Sequence, residues 1–318
     1  AEDEGSNASA ALTIGDLIAA RIDRRSFARG LLATIALEPL LVSPPVHAGE
    51  PPAAAAAPQP GAFNFTEVTA GSDETHHVAE GYEADIVIRW GDAVLPDAPP
   101  FTPSTPSAAA QERQFGYNND FIGFLPLGAD GNRALLVVNH EYTCEELMFP
   151  AVPQQDQALR FRDMTREHVA VEMAAHGGSV IEIARKNGKW RVVSGSRYAR
   201  RITAHTPMRF SGPAAGHAKL RTGEDATGTQ VHGMLNNCAG ATTPWGTWLT
   251  CEENINGYFW NKGAVKAHPD ADALKRYGIP GEWYSWGQHE PRFDIGREPN
   301  EPHRFGWVVE IDPFDPAS

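Results

Sequence analysis

The chain has 318 residues, of which 42% are hydrophobic, so it is long enough to bury a sizeable core in one large domain or two. Its formal net charge of -13 excludes nucleic acid as a dedicated partner, because binding to phosphate backbones needs an excess of Lys and Arg. No apolar run reaches transmembrane length, so we expect no stable membrane insertion. An acidic chain is compatible with a protein that uses carboxylates to bind metal ions.

The first 48 residues are predicted to be a twin-arginine export signal. Arg24 and Arg25 are followed by Phe27, then by a short apolar run, and the sequence Val-His-Ala at 46–48 offers a cleavage site. An amphipathic helix over 12–41 is the alternative interpretation. The signal predicts contact with the twin-arginine export machinery and a periplasmic or secreted protein. Residues 49–62 are rich in Pro and Ala and are predicted to be an extended linker.

Residues 63–318 show the pattern of short strands separated by Gly and Pro turns. A helix capped by Asp163 or Thr165 and ending at His176 is expected, with a second short helix at 271–277. The pattern indicates an all-β sandwich, barrel or propeller, without a clean internal repeat. The predicted strands are at 83–90, 134–139, 180–183, 190–193, 229–235, 245–251 and 306–311. The sequence Lys-Asn-Gly-Lys at 186–189 predicts a hairpin between the strands at 180–183 and 190–193.

The stretch from 231 to 260 concentrates the residue types of a metal site. It contains two of the three cysteines, Cys238 and Cys251, and the adjacent carboxylates Glu252 and Glu253. In a strand, Cys251 and Glu253 would share one face. Thiolate and carboxylate together favour a transition metal such as iron over a calcium or magnesium cage built only of oxygen. A disulfide beside a solvated acidic turn is the alternative.

Two further polar segments follow or precede predicted apolar strands. The segment FGYNND at 115–120 is typical of an Asx turn, although Asn118 and Asp120 also offer oxygen to a metal or an ester. The strand at 134–139 ends at His140 and Glu141, where polar groups are well placed to line a cleft. For His140 a structural role is favoured over metal ligation.

Five segments of the chain, including those described above, resemble motifs of the PhoX family of alkaline phosphatases and occur in the same order. The resemblance implies a β-propeller-like fold over residues 63–318 with a few inserted helices. It also implies that the C-terminal part of the propeller is missing, since relatives continue beyond this point. The matching segments are FGYNNDFIGFLPL, LLVVNHEYT, RITAHTPMRFSGPAAGH, the stretch at 231–260, and RFGWVVEIDPFDP.

The resemblance also implies the chemistry. It implies hydrolysis of phosphate monoesters by a metal-bound oxide or hydroxide, at a centre with a pair of ferric ions and several calcium ions. We expect Asn118 and Arg304 to orient substrate oxygen, and a structural ion pair is the alternative for Arg304. The implied metal ligands are Cys238, Glu253 in preference to Glu252, Glu141 and Glu310.

The remaining cysteines lead to one more expectation. Cys144 lies three residues after Glu141 and Cys251 lies two before Glu253, so the two thiols would be neighbours if both glutamates reached one cluster. A Cys144–Cys251 disulfide is therefore one hypothesis, and two unrelated buried thiols are the alternative. The functional alternatives are another propeller hydrolase, such as a phosphodiesterase or a lactonase, and a non-catalytic truncated fragment.

Overall fold

The computed structural model describes residues 66–150, 152–155 and 158–316. The predicted export signal and the predicted linker lie outside these described residues. The chain divides into two units, Ala1–Ala84 and Asp85–Ser318. The described part of the first unit, residues 66–84, contains bends and a turn but no strand or helix. The strands and helices of the described residues, and the candidate site, belong to the second unit.

The second unit is mostly β-structure with a few short helices. The helices are α1 (Ala108–Gln111), α2 (Glu145–Met148), α3 (Arg166–Ala175), α4 (Ala271–Arg276) and α5 (Trp286–His289). No helix among the described residues is both long and apolar enough to cross a membrane. The strands are β1 (Asn119–Pro126), β2 (Arg133–His140), β3 (Gly177–Lys186), β4 (Lys189–Val192), β5 (Arg200–Ile202), β6 (Pro207–Arg209), β7 (Gln230–His232), β8 (Asn237–Thr242), β9 (Trp248–Glu252) and β10 (Val308–Ile311).

The strands form three antiparallel sheets. The largest has the order β1-β2-β3-β4, and β5 pairs with the first part of β3. The second has the order β10-β9-β8, and the third is the pair β6-β7. The mostly β character confirms the predicted class, but within the described residues these sheets do not close into a propeller.

The main sheet follows directly from hydrophobic patterning and turn chemistry. Strands β2 and β3 carry apolar runs and are almost wholly buried, as central strands should be. The predicted hairpin after β3 is confirmed. Its turn places Asn187 and Gly188 at φ 52° and 79°, the left-handed conformation that two-residue hairpin loops favour.

The predicted strand at 83–90 is wrong. Val87 and Ile88 pack beside the buried side chains of Ala134 and Ile181, but the segment pairs with no strand. Its continuation is held by other backbone bonds, including one from Gly91 N to the Phe115 carbonyl. This segment of alternating apolar residues therefore contributes to the core without pairing with another strand.

A continuous core joins the five-stranded and three-stranded sheets. Trp248 of β9 is fully buried and packs in one cluster with Leu135, Val180 and Met234. Burial of a tryptophan in such a contact contributes a few kcal/mol, roughly 3–5 by the usual cost of truncating it to alanine. This packing fixes the β1 and β2 ends against β8, where the candidate site lies.

Helix α3 brings a buried carboxylate into a second, aromatic core. The predicted helix is confirmed, and the Thr165 side chain caps it by accepting a bond from His168 N. Glu172 is fully buried and accepts hydrogen bonds from Thr143 Oγ1 at 2.9 Å and Trp286 Nε1 at 3.1 Å. Burial, followed by the nearby charge of Glu145, raises the pKa of Glu172 well above its usual value.

Glu145 is the less satisfied member of this acidic pair. It is 6% exposed, and within the described residues its Oε1 atom has no hydrogen-bond partner. Burial raises its pKa from 4.5 to about 7. The folded chain therefore retains a proton that the unfolded chain has already released in this pH range.

We accordingly expect the free energy of unfolding to fall as the pH rises from about 4.5 to 7, with Glu145 contributing about 3 kcal/mol. Glu145→Gln, which is neutral at every pH, should flatten that dependence and stabilise the protein at pH 8. Denaturant unfolding at pH 5 and pH 8 measures both effects. The control is Glu146→Gln, the same change at an exposed neighbouring position. An unaltered pH dependence in Glu145→Gln would contradict the assignment.

Candidate metal centre

Three potential metal ligands from separate parts of the sequence meet at one point. Asp120 comes from β1, Glu141 directly follows β2, and Cys238 comes from β8. One ligand atom of each lies within 4.8 Å of the others. Asp120 is exposed and the other two are half-buried, so the cluster can be reached from solvent.

Two β-bulges direct side chains into this cluster. Asp120 and Phe121 together face the single residue Asn139 of β2. In the same way, Cys238 and Ala239 together face Cys251 of β9. A bulge re-aims side chains that a regular ladder would send to alternate faces, and bulges are frequent beside active sites. Each of the two bulges contains one of the three ligands.

Asn139 holds the two sheets together directly beneath the cluster. Its fully buried side chain donates to the Cys238 carbonyl at 2.7 Å and accepts from Thr250 Oγ1 at 2.9 Å. On the other side, the Glu141 N–H donates to the Asn118 carbonyl at 3.0 Å. The backbone around Glu141 and Cys238 is therefore fixed before any ion binds.

The electrostatics of the cluster show that negative charges crowd together. Burial, together with the charges of Asp120 and Glu253, raises the pKa of Glu141 to about 7. Burial, Glu141, Asp120 and Glu253 raise the pKa of the Cys238 thiol to about 11. A bound cation would reverse both shifts, because it favours the ionised forms of its ligands.

The donor set fits a transition metal. Two carboxylates and a thiolate combine hard and soft ligands, whereas calcium and magnesium select oxygen alone. The sequence places Asp120 in a segment that is typical of an Asx turn and that also offers oxygen to a metal, but Asp120 is not among the predicted ligands. The signal that could have identified it is the position of Asp120 in a polar segment immediately before an apolar strand.

Glu253 and Asn118 lie beside the cluster. The influence of Glu253 on the pKa values of Glu141 and Cys238 places its charge nearby, while its carboxylate accepts from Asn254 Nδ2 at 2.7 Å. Asn118 has a left-handed backbone at φ 49° and a half-exposed side chain. Both residues are placed where a bound ion or substrate could recruit them.

Glu252 has a structural role instead of lying in the cluster. Its Oε1 accepts from Leu235 N at 2.8 Å, and its Oε2 accepts from Gly306 N at 2.8 Å and Trp307 N at 3.0 Å. Burial raises its pKa to about 7, although these three N–H groups oppose the shift. The carboxylate thus links β9 to two loops.

Glu252→Gln should therefore lower the free energy of unfolding by about 1–3 kcal/mol, because an amide cannot accept from all three N–H groups. We expect the metal content to stay unchanged. Urea unfolding at pH 5, below the raised pKa of Glu252, checks the first expectation without a contribution from the cost of the buried charge. Glu253→Gln is the matched change at the exposed neighbour and should leave stability within about 0.5 kcal/mol. If Glu252→Gln loses metal but keeps its stability, Glu252 is a metal ligand after all.

Glu310 and Arg304 make hydrogen bonds and ion pairs outside the cluster of Asp120, Glu141 and Cys238. Glu310 Oε1 accepts from Trp245 Nε1 at 2.8 Å and Thr247 Oγ1 at 2.7 Å, across β9 and β10. The buried Arg304 forms an ion pair with Glu301 at 3.1 Å and donates to the carbonyl groups of Leu220 and Gln230. Both Nη groups of Arg304 therefore donate within the fold, which agrees with the alternative of a structural ion pair.

The predicted Cys144–Cys251 disulfide is not formed, since all three cysteines are free thiols. Cys144 precedes α2 and its thiol interacts with the Tyr117 hydroxyl, and burial raises its pKa. Cys251 lies on β9 opposite Val308 of β10. Glu141 and Glu253 are close to each other, but Cys144 and Cys251 lie beside different residues, Tyr117 and Val308. His140 is fully buried against Ser179, as the structural interpretation predicted.

Together, the fold and the cluster define a mostly β protein with a candidate centre for a thiolate-bound metal. A family model, alkaline phosphatase PhoX, matches residues 63–318. The chain belongs to the PhoX alkaline phosphatase family, which confirms the resemblance seen in the sequence.

One solved structure shows the same relationship. It is Pseudomonas fluorescens PhoX in complex with vanadate, a transition state analogue, and it is 42% identical with a TM-score of 0.72. The match covers 80% of the present chain and 43% of that chain. The present chain therefore spans less than half of that relative. A comparison with curated proteins gave no match.

Proposed function

We propose that this chain supplies the thiolate-containing part of the active site of a metal-dependent alkaline phosphatase that hydrolyses phosphate monoesters and releases inorganic phosphate. The observation that carries the proposal is the meeting of Asp120, Glu141 and Cys238 within 4.8 Å. Family membership supports the reaction class, and the relative named above was solved with a transition state analogue.

The proposed cofactors are a pair of ferric ions and calcium. When bound, such cations act as Lewis acids that stabilise charge on the attacking and leaving oxygens of a phosphate ester. Cys238, Asp120 and Glu141 would hold iron, and Glu253 would join them from the rim of the cluster. The half-exposed amide of Asn118 is placed to orient a substrate oxygen. Asp120 and Cys238 each lie in a bulged segment of their strand.

The wider setting is also part of the proposal. The three sheets are proposed to be blades of a β-propeller, and the protein is proposed to be periplasmic or secreted through the twin-arginine machinery. Family membership and the paired arginines Arg24 and Arg25 support these two statements. Its partners would then be small phosphate esters.

The test is a substrate profile combined with metal analysis. The purified chain, loaded with iron and calcium, is assayed at alkaline pH against p-nitrophenyl phosphate, bis-p-nitrophenyl phosphate and a lactone. Asp120→Asn should lower monoester hydrolysis at least about 10-fold, as even changes to residues that only support a ligand do. Asp130→Asn is the matched control in an exposed turn, where asparagine preserves the oxygen that accepts from Asn132 N.

If the chain prefers the diester or the lactone, the proposed monoester hydrolysis is wrong and another esterase function takes its place. Retention of iron without hydrolysis of any substrate would indicate a non-catalytic metal-binding chain. If Asp120→Asn keeps both its metal and its activity, Asp120 is not part of the site.

A further inference from the structure

A second charged feature lies away from the candidate metal centre. A surface cavity of about 490 Å³ is lined by Arg160, Arg166 and Arg297, with Trp260 and His289 completing part of the wall. An adjoining cavity of about 370 Å³ shares Arg160 and Trp260. Both volumes suit a small ligand.

The charge of this cavity is opposite to that of the chain. Three guanidinium groups line the larger cavity, whereas Asp294 is its single carboxylate among the residues that the structure describes, in a chain with a net charge of -13. Asp294 already accepts from Asn261 Nδ2 at 2.8 Å and Gly296 N at 2.8 Å, and it pairs with Arg297 at 3.7 Å. One carboxylate engaged in this way cannot neutralise the other two arginines.

Arg160 and Arg166 are the two arginines of the cavity that Asp294 does not pair with. Both are exposed, and among the described residues no carboxylate lies within ion-pair distance of either. The positive charge of Arg166 also reaches His289, where it adds to burial in lowering the pKa of that imidazole. The electrostatic repulsion between like charges without a counterion is reduced when an anion binds between them.

The cavity is separate from the candidate metal centre. Helix α3 begins at Arg166, and its last residue, Ala175, accepts a hydrogen bond from Tyr117 N next to Asn118. Its ten residues span about 15 Å at the usual rise per residue. No ligand of the metal centre lines either cavity.

We propose that this cavity binds a phosphate dianion, either free or as the terminal group of a phosphate monoester. Guanidinium groups bind phosphate through paired, charge-assisted hydrogen bonds, which is the chemistry that Arg160 and Arg166 offer. The Trp260 ring provides an aromatic wall on which an organic substituent would pack.

Calorimetric titration of the metal-free chain at low ionic strength tests the proposal, with inorganic phosphate and phenylphosphonate as the two probes. Removing the metals separates this site from the candidate active site. We expect one saturable site per chain, with affinity that falls as salt is added. Tighter binding of phenylphosphonate would identify a monoester as the preferred form, and equal binding would identify free phosphate.

The variant Arg160→Gln/Arg166→Gln should weaken binding at least about 10-fold. Arg162→Gln is the matched control, since Arg162 is exposed nearby, pairs with Asp163 and does not line the cavity. Thermal unfolding verifies that each variant is folded. Absence of saturable binding, or equal weakening in the Arg162→Gln control, would overturn the proposal. Failure here leaves the proposed phosphatase reaction intact, because that reaction is tested with metals present and on other residues.

Discussion

Cys238→Ser is expected to remove iron from the protein and to lower phosphatase activity at least about 100-fold. Serine has nearly the same shape, but its hydroxyl does not ionise to replace a thiolate as a ligand. Changes to residues that merely support a metal ligand already cost 10–100-fold, so the loss of a direct ligand should be at least that large. Elemental analysis and p-nitrophenyl phosphate hydrolysis measure the two effects.

Cys251→Ser provides the matched control. Cys251 is also half-buried and lies on the neighbouring strand β9, but it is not one of the three clustered ligands. Iron content and activity should therefore remain near those of the unaltered chain. Equal losses in the two variants would mean that the strand pair, and not the Cys238 thiolate, is what the metal requires.

Gly177→Ala is expected to destabilise the protein by about 2–6 kcal/mol, the sum of backbone strain and overpacking, or to prevent folding. Gly177 is the first residue of β3 and has φ 91°, which an L-residue adopts only with strain. A Cβ at this position would overlap the Ile202 carbonyl of the paired strand β5. Because backbone atoms on both sides would have to move, side-chain adjustment offers no relief.

Gly188→Ala separates the two contributions. Gly188 also has a positive φ, 79°, but an added Cβ would have no atom within 4 Å. Its cost should be the conformational penalty alone, about 1 kcal/mol. Denaturant unfolding of both variants gives the difference, which measures the overlap with Ile202. Similar stabilities for the two variants would contradict the close approach of β3 and β5.

Local sequence patterns were sufficient for much of the fold. The apolar runs of β2 and β3, the Asn187-Gly188 turn and the capped helix α3 each depend on neighbours in sequence, and each is where it was predicted. The strand predicted at 83–90 is wrong because the alternating apolar residues of this segment pack on the core and do not pair with another strand. Whether an alternating segment finds a strand partner depends on distant parts of the chain.

The candidate site was predictable only in part. Glu141 and Cys238 followed from the resemblance, and the structure brings them together. Asp120 was missed because a bulge, which depends on pairing with β2, turns its side chain toward them. Glu252 was included because its sequence position is almost the same as that of Glu253. A change of one residue along a strand reverses the face, and here it separates a structural carboxylate from one beside the cluster.

X-ray absorption at the iron edge tests the central claim most directly. The claim is that Cys238 joins Asp120 and Glu141 in holding iron. In the iron-loaded chain we expect a sulfur neighbour in the first coordination shell. That neighbour should be lost in Cys238→Ser and retained in Cys251→Ser. A first shell made only of oxygen and nitrogen in the unaltered chain, with iron bound, would contradict the claim.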